Sequence, residues 1–286
     1  MKNVYGVKLT KKEQEMKNLI YQVWAGNLTE ECRVSSKLMK RYADRIGAEY
    51  LLHMNPNIAS KLVDGNGPYW EWLNPIIDDS FLEYDNVLVV DLDVFPVEGL
   101  EENIFDQDIK DVGVCTEPIQ GKLRSSVTIA NHINKTNDEK WVKHINANWD
   151  GNPFIFPRDG DGHLKIYNAG VVLFSNKGMK RARTWTPFQN YIDIMKKANL
   201  GRFYTVDQNY FHAMLFIHNM DFVEMDNGWN EQVHFIRGPM SIANPIHDPR
   251  NENTKLVHVQ LSGIQWNEKD LYTVVNEPQS KWSFIK

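Results

Sequence analysis

Cysteine is scarce in this chain, with only Cys32 and Cys115 among 286 residues. Two thiols cannot build a disulfide framework, and their scarcity fits a reducing compartment. Long apolar runs are missing as well. No stretch approaches the roughly 18 uninterrupted apolar residues of a membrane span. The opening Met1-Lys2-Asn3-Val4-Tyr5-Gly6-Val7-Lys8 lacks the apolar core of a secretory signal. A cytoplasmic protein is therefore expected, and the sequons at Asn27 and Asn134 carry no weight. Basic charge is not in excess either. The formal net charge is -5, which gives no field for holding DNA or RNA. An acidic protein that binds an anionic nucleotide needs a local remedy, and a divalent cation is one.

What is present is apolar and aromatic. The chain is 42% hydrophobic and 24% charged, which excludes a disordered protein. Nine tryptophans and eleven tyrosines suit a large core. Their flat faces also suit the stacking of sugars and bases.

Residues 1–17 read as a polar lead-in. Leu19 to Trp24 reads as a first strand, rich in β-formers and ended by Gly26. Thr29 is the expected N-cap of a helix, with Glu30 and Glu31 in its first turn. Leu38, Tyr42 and Ile46 give that helix an apolar face, and Gly47 stops it. Glu49 to Met54 reads as a second strand, completing a strand–helix–strand unit. A helix is expected over 70–83. The apolar run from Asn86 to Asp91 predicts a central strand covered on both faces. Val112 to Cys115 reads as another strand.

Residues 116–166 are polar and weakly periodic, which predicts a functional insertion or lid. Within it, Asp159-Gly160-Asp161-Gly162 lacks the remaining positions of a calcium loop and reads as a plain turn. Val171 to Phe174 predicts a strand, followed by a helix to about 197 whose Lys177, Lys180, Arg181 and Arg183 form a solvated face. Val206 to His218 predicts an amphipathic helix, and Lys255 to Gln260 a late strand. No repeat or linker divides the chain. One α/β domain over 1–286 is expected, with a mixed, mostly parallel sheet flanked by helices and a short C-terminal tail.

Ligands of open α/β sheets bind outside the carboxyl ends of the strands. Asp91 and Asp93 stand where the most apolar strand ends. In extended backbone, residues two apart point the same way, so the two carboxylates should converge. Their repulsion is relieved by a cation, and hard oxygen ligands suit Mg²⁺ or Mn²⁺. A pair of solvated aspartates is the plain alternative.

The segment from Tyr84 to Val94, with Asp91-Leu92-Asp93 at its end, resembles the DxD strand of GT-A glycosyltransferases. Four further segments follow in the order seen in glycosyltransferase family 8. They are Tyr167-Asn168-Ala169-Gly170 with its apolar strand, Asp207-Gln208-Asn209, Asp226-Asn227-Gly228-Trp229-Asn230, and Val257-His258 through Ser262-Gly263. The resemblance spans residues 84–266 and implies a GT-A fold in a distant branch of that family. It implies that Asp91, Asp93 and His258 ligate Mn²⁺ (or Mg²⁺). Asp91 would also bridge to a nucleotide-sugar donor, a UDP-sugar by family expectation, with Trp24, Gly170 and Gly263 as further donor contacts. Asn168 and Asp207 would face the transferred sugar, and Gln208 would lie under its anomeric carbon. Asp207 could equally be a helix N-cap, and a lone strand histidine such as His258 could be a satisfied core residue.

Two departures stand out. Gly263 is followed by Ile264-Gln265-Trp266 where the family carries Lys-Pro-Trp, and residues 69–83 contain no Arg or Lys. The diphosphate would then need another cation, with Lys269, Arg124 and Lys122 as candidates. The expected activity is metal-dependent transfer of a hexose to an acceptor hydroxyl of a glycan, glycolipid or protein, with retention. No Asp or Glu presents itself as a covalent nucleophile. A nucleotidyltransferase of related fold is disfavoured, because Trp24-Ala25-Gly26-Asn27-Leu28-Thr29 is neither glycine-rich nor basic. A non-catalytic carbohydrate-binding protein is the remaining alternative.

Overall fold

The computed structural model describes residues 16–65, 67–118, 134–151, 153–235, 246–260 and 266–282. Its elements begin with β1 (Asn18–Trp24), α1 (Glu30–Ile46), β2 (Glu49–Met54), β3 (Asn86–Val90), β4 (Val94–Pro96) and β5 (Val112–Thr116). There follow α2 (Lys135–Asn148), β6 (Tyr167–Ser175), α3 (Asn176–Ala182), α4 (Phe188–Lys197), α5 (Asp207–Ile217) and β7 (Phe222–Glu224). The chain then forms β8 (Glu231–Phe235), β9 (Ile246–His247), β10 (Leu256–Gln260) and α6 (Glu268–Asn276).

Six strands make the main sheet in the order β2-β1-β3-β6-β5-β7. Neighbours pair in parallel except around β6, which runs against both β3 and β5. The fold is thus mixed α/β with a mostly parallel sheet, as the strand–helix–strand pattern predicts. Leu19, Ile20 and Tyr21 of β1 and Val87 to Val90 of β3 are buried on both faces, which is why these strands read as nearly continuous apolar runs. The caps of α1 are local and form as expected. The Thr29 side chain accepts from the Cys32 amide, and Gly47 adopts φ 72°, a left-handed turn that glycine enters without strain. Tyr42 faces the core with Met39 and Ala43, while Leu38 and Ile46 flank it.

Four expectations change. The stretch 70–83 forms two 3₁₀ segments, Gly67–Ile76 and Asp79–Glu83, because Pro75 has no N–H for an α-helical bond. The helix expected up to 197 divides into α3 and α4, with Pro187 at the start of the second. The segment read as loop contains α2, which buries Trp141 and Ile145 one turn apart and is capped by Asn134. The basic face after β6 is solvated at Lys177 and Lys180, yet three of its four cations are also ion-paired. Lys177 and Arg181 both bind the buried Asp111, and Arg183 binds Asp79. Asp159 does form a plain turn, its side chain accepting from the amides of Asp161 and His163.

A second sheet, β4-β10-β8-β9, was not anticipated beyond its β10 strand. Phe95, Val233, Val257 and Val259 of this sheet pack with Leu271, Val274 and Val275 of α6, and with Trp266 and Trp282. No helix among the described residues is long and apolar enough to cross a membrane.

Candidate active site

Asp91-Leu92-Asp93 is the joint between the two sheets. The Asp91 amide donates to Gly170 O of β6 at 2.9 Å, and Gln22 Nε2 donates to Asp91 O at 3.0 Å. Asp93 O accepts from the Val259 amide of β10 at 2.8 Å. The segment is not extended. β3 ends at Val90, and Val94 N closes a turn onto Asp91 O at 3.2 Å. Convergence of the carboxylates therefore comes from this turn, not from strand alternation. The turn is required because β4 leaves for the second sheet.

His258 lies on β10, in register opposite Val94. Ligand atoms of Asp91, Asp93 and His258 all lie within 4.8 Å of one another. His258 Nε2 is 3.2 Å from Asp93 Oδ1. Burial, then the Asp93 and Asp207 carboxylates, push the Asp91 carboxyl up to about 7 against the opposing effect of His258. Burial alone would lower His258, but Asp93, Asp91 and Glu117 outweigh it and raise the imidazole to about 9. Two carboxylates and an imidazole at this spacing fit a divalent ion, and the mixed oxygen and nitrogen set suits Mn²⁺.

A hydrogen-bonded floor adjoins the three. Asn168 and Gly170 lie on β6, and Gln208 opens α5 next to Asp207. Gln208 Nε2 donates to Glu117 Oε2 at 3.0 Å, and Ala169 N donates to Gln208 Oε1 at 3.4 Å. Asp207 is the first residue of α5 and not its cap, which is Val206. Its Oδ2 accepts from Trp72 Nε1 at 2.6 Å. Burial pushes Asp207 up to about 6, opposed by Trp72 and the first-turn amides of α5. Gly170 has a steric reason to be glycine, since a Cβ there would lie 2.5 Å from His258 Cε1.

Seven of the nine predicted site residues are thus neighbours: Asp91, Asp93, Asn168, Gly170, Asp207, Gln208 and His258. Trp24 ends β1 beside Met54, its indole donating to Asn27 O. No contact joins it to the cluster among the described residues. Gly263, Lys122 and Arg124 lie outside the described residues, and Lys269 is exposed on α6. Three participants were not foreseen. Glu117 follows β5, at a strand end where the topological rule would have found it. Trp72 and the buried Gln22 act through side-chain contacts that carry no local pattern.

No model of a known protein family matches the chain, and no curated protein does. Solved structures do resemble it. The galactosyltransferase LgtC, in complex with donor and acceptor sugar analogues, is 13% identical with a TM-score of 0.49, over 92% of this chain and 98% of that one. Mouse xyloside xylosyltransferase 1 is 13% identical with a TM-score of 0.43, over 85% and 97%. A Drosophila β1,4-galactosyltransferase 7 mutant, complexed with manganese, UDP-Gal and xylobiose, is 11% identical with a TM-score of 0.31, over 64% and 63%. All three of these proteins are glycosyltransferases.

Proposed function

We propose that this chain is a metal-dependent glycosyltransferase that moves a sugar from a nucleoside-diphosphate donor, a UDP-sugar, to an acceptor hydroxyl with retention. The observation that carries this reading is the convergence of Asp91, Asp93 and His258 within 4.8 Å beside Asn168, Asp207 and Gln208. Bound there, Mn²⁺ (or Mg²⁺) would act as a Lewis acid toward the departing diphosphate. Asp207 and Asn168 offer hydrogen-bonding groups to the sugar, and Trp72 holds the Asp207 carboxylate in place. Glu117 and the Ala169 amide fix both ends of the Gln208 amide. An amide oxygen is a weak nucleophile, so the reading favours a single front-face displacement. The acceptor C–O bond forms on the face from which the phosphate oxygen leaves, and that oxygen takes the acceptor proton. The segment 116–166 is proposed to dock the acceptor, and residues 1–286 to act as one glycosyltransferase domain.

Incubation with a panel of nucleotide sugars tests the reading. Slow Mn²⁺-dependent hydrolysis of one donor, lost in Asp93→Ala, is expected. Absence of hydrolysis and transfer across the panel would favour a carbohydrate-binding protein. A glycosyl adduct trapped on Glu117, which is hydrogen-bonded to Gln208, would replace the front-face step with a double displacement.

A further inference from the structure

Asn230 is buried between His258 and Asn168. It ends the 3₁₀ segment Asn227–Asn230 and leads into β8, the strand that pairs with β10. Trp229 is buried beside it, and Gly228 packs so closely on Asn253 O that a Cβ would lie 2.2 Å from it. The segment is therefore held from several sides, and the Asn230 amide has a fixed place.

The sense of the hydrogen bonds can be read from one end to the other. The Gly170 N–H is a backbone donor and lies 2.8 Å from Asn168 Oδ1. The facing atom must be the amide oxygen, because two donors would otherwise oppose each other. The other end of that amide, Nδ2, lies 3.4 Å from Glu117 Oε2, an acceptor. Asn168 is thus oriented from both ends. Asn230 presents Nδ2 to the same Asn168 Oδ1 at 2.9 Å. Its own Oδ1 is then the atom 3.0 Å from His258 Nδ1. An amide oxygen only accepts, so His258 Nδ1 must carry a proton. In the neutral ring the lone pair is left on Nε2, the nitrogen 3.2 Å from Asp93. The opposite tautomer would set two acceptors against each other at Asn230.

We propose that Asn230 is a positioning residue that fixes His258 as the Nδ1–H tautomer and so presents Nε2 to a divalent cation between Asp91 and Asp93. The Gly170 amide and Glu117 set the direction of the chain that ends at His258. The inference rests on the metal reading given above, and it adds to it the reason why one imidazole nitrogen is the ligand. Outer hydrogen bonds of this kind orient a ligating histidine, and their loss weakens metal binding.

The test is a Mn²⁺ titration of the full chain, following the electron paramagnetic resonance signal of the free ion. Wild type is compared with Asn230→Ala, His258→Ala and the double variant Asn230→Ala/His258→Ala. Asn230→Ala is expected to weaken binding about 10- to 100-fold. The double variant is expected to bind no more weakly than His258→Ala alone, since Asn230 acts through the ring. Wild-type affinity in Asn230→Ala, or losses that multiply in the double variant, would each overturn the proposal. A measurement on the wild type alone guards against variants that do not fold. The long-range ¹H–¹⁵N spectrum of the Mg²⁺-saturated chain should show His258 protonated at Nδ1, and protonation at Nε2 would overturn it. If the wild type binds no Mn²⁺ at all, the metal reading itself fails, which is a different outcome from equal binding by wild type and Asn230→Ala.

Discussion

Two aspartates stand at opposite ends of the two strands that flank β6. Asp111 precedes β5 and Asp91 follows β3, which runs in the same direction because both strands pair antiparallel with β6. Burial raises the carboxyl of each. At Asp111 that effect is outweighed by the Asp221 amide, Lys177 and Arg181, and the group is held below the usual range. At Asp91 the neighbouring charges are two further carboxylates and His258, and the group rises to about 7. Burial alone does not distinguish a structural carboxylate from a functional one. The distinction lies in whether the chain supplies the cation. Asp111 is neutralised from within the protein, whereas the role proposed for Asp91 leaves its neutralisation to an ion from solution.

The largest expected effect breaks the ion-dependent end. Asp93→Ala removes one of the three proposed ligands and should lower Mn²⁺-dependent donor turnover about 1000-fold or more. Its melting temperature without metal should stay within a few degrees of wild type. Asp111→Asn breaks the other end. It leaves Arg181 and Lys177 without their carboxylate, and both cations are partly exposed, with side-chain accessibilities of 37% and 62%. Denaturant unfolding should show a loss of about 2–3 kcal/mol, below the range for a fully buried pair. Mn²⁺ affinity should be unchanged.

Gly170→Ala sharpens the contrast on a smaller scale. The new methyl would press on the His258 ring, and Mn²⁺ binding should weaken roughly 10-fold, with an overpacking cost of about 1–3 kcal/mol. Calorimetric titration together with a thermal melt separates the two effects. The smallest effect is in pH. Asp91 near 7 and His258 near 9 lie above their unfolded values of 3.8 and 6.5, so the folded state binds more protons. Their contribution to metal-free stability is present at low pH and fades as pH rises through about 7 and then 9. Mn²⁺ needs the deprotonated groups, so its affinity should climb over the same interval. Asp111 is lowered, and its contribution is lost only as pH falls through its folded value, below 3.8. Melting curves from pH 3 to 9, with and without Mn²⁺, check both directions.

Much of this was legible because it is local. The β3 run, the Thr29 and Gly47 caps, and the motifs bearing Asp91, Asn168, Asp207, Gln208 and His258 all announce themselves over a few residues. The second sheet does not. β4 has three residues and β9 two, and such strands exist only through their partners. The helix α2 was hidden because Trp141 and Ile145 cover its core face without a longer apolar stripe. Convergence of Asp91 and Asp93 was foreseen from strand alternation, yet a turn produces it. Glu117 was read as the start of a loop, although it closes the floor beneath Asn168 and Gln208.

The turn at Asp91-Leu92-Asp93 carries a mechanical consequence. Its first residue is bonded to β6 and its last to β10, so the proposed ligand set spans the seam between the two sheets. An ion held there would act as a rivet across that seam. Amide hydrogens along β10 should then exchange more slowly when Mn²⁺ is added, and chelation should let the second sheet breathe against the first.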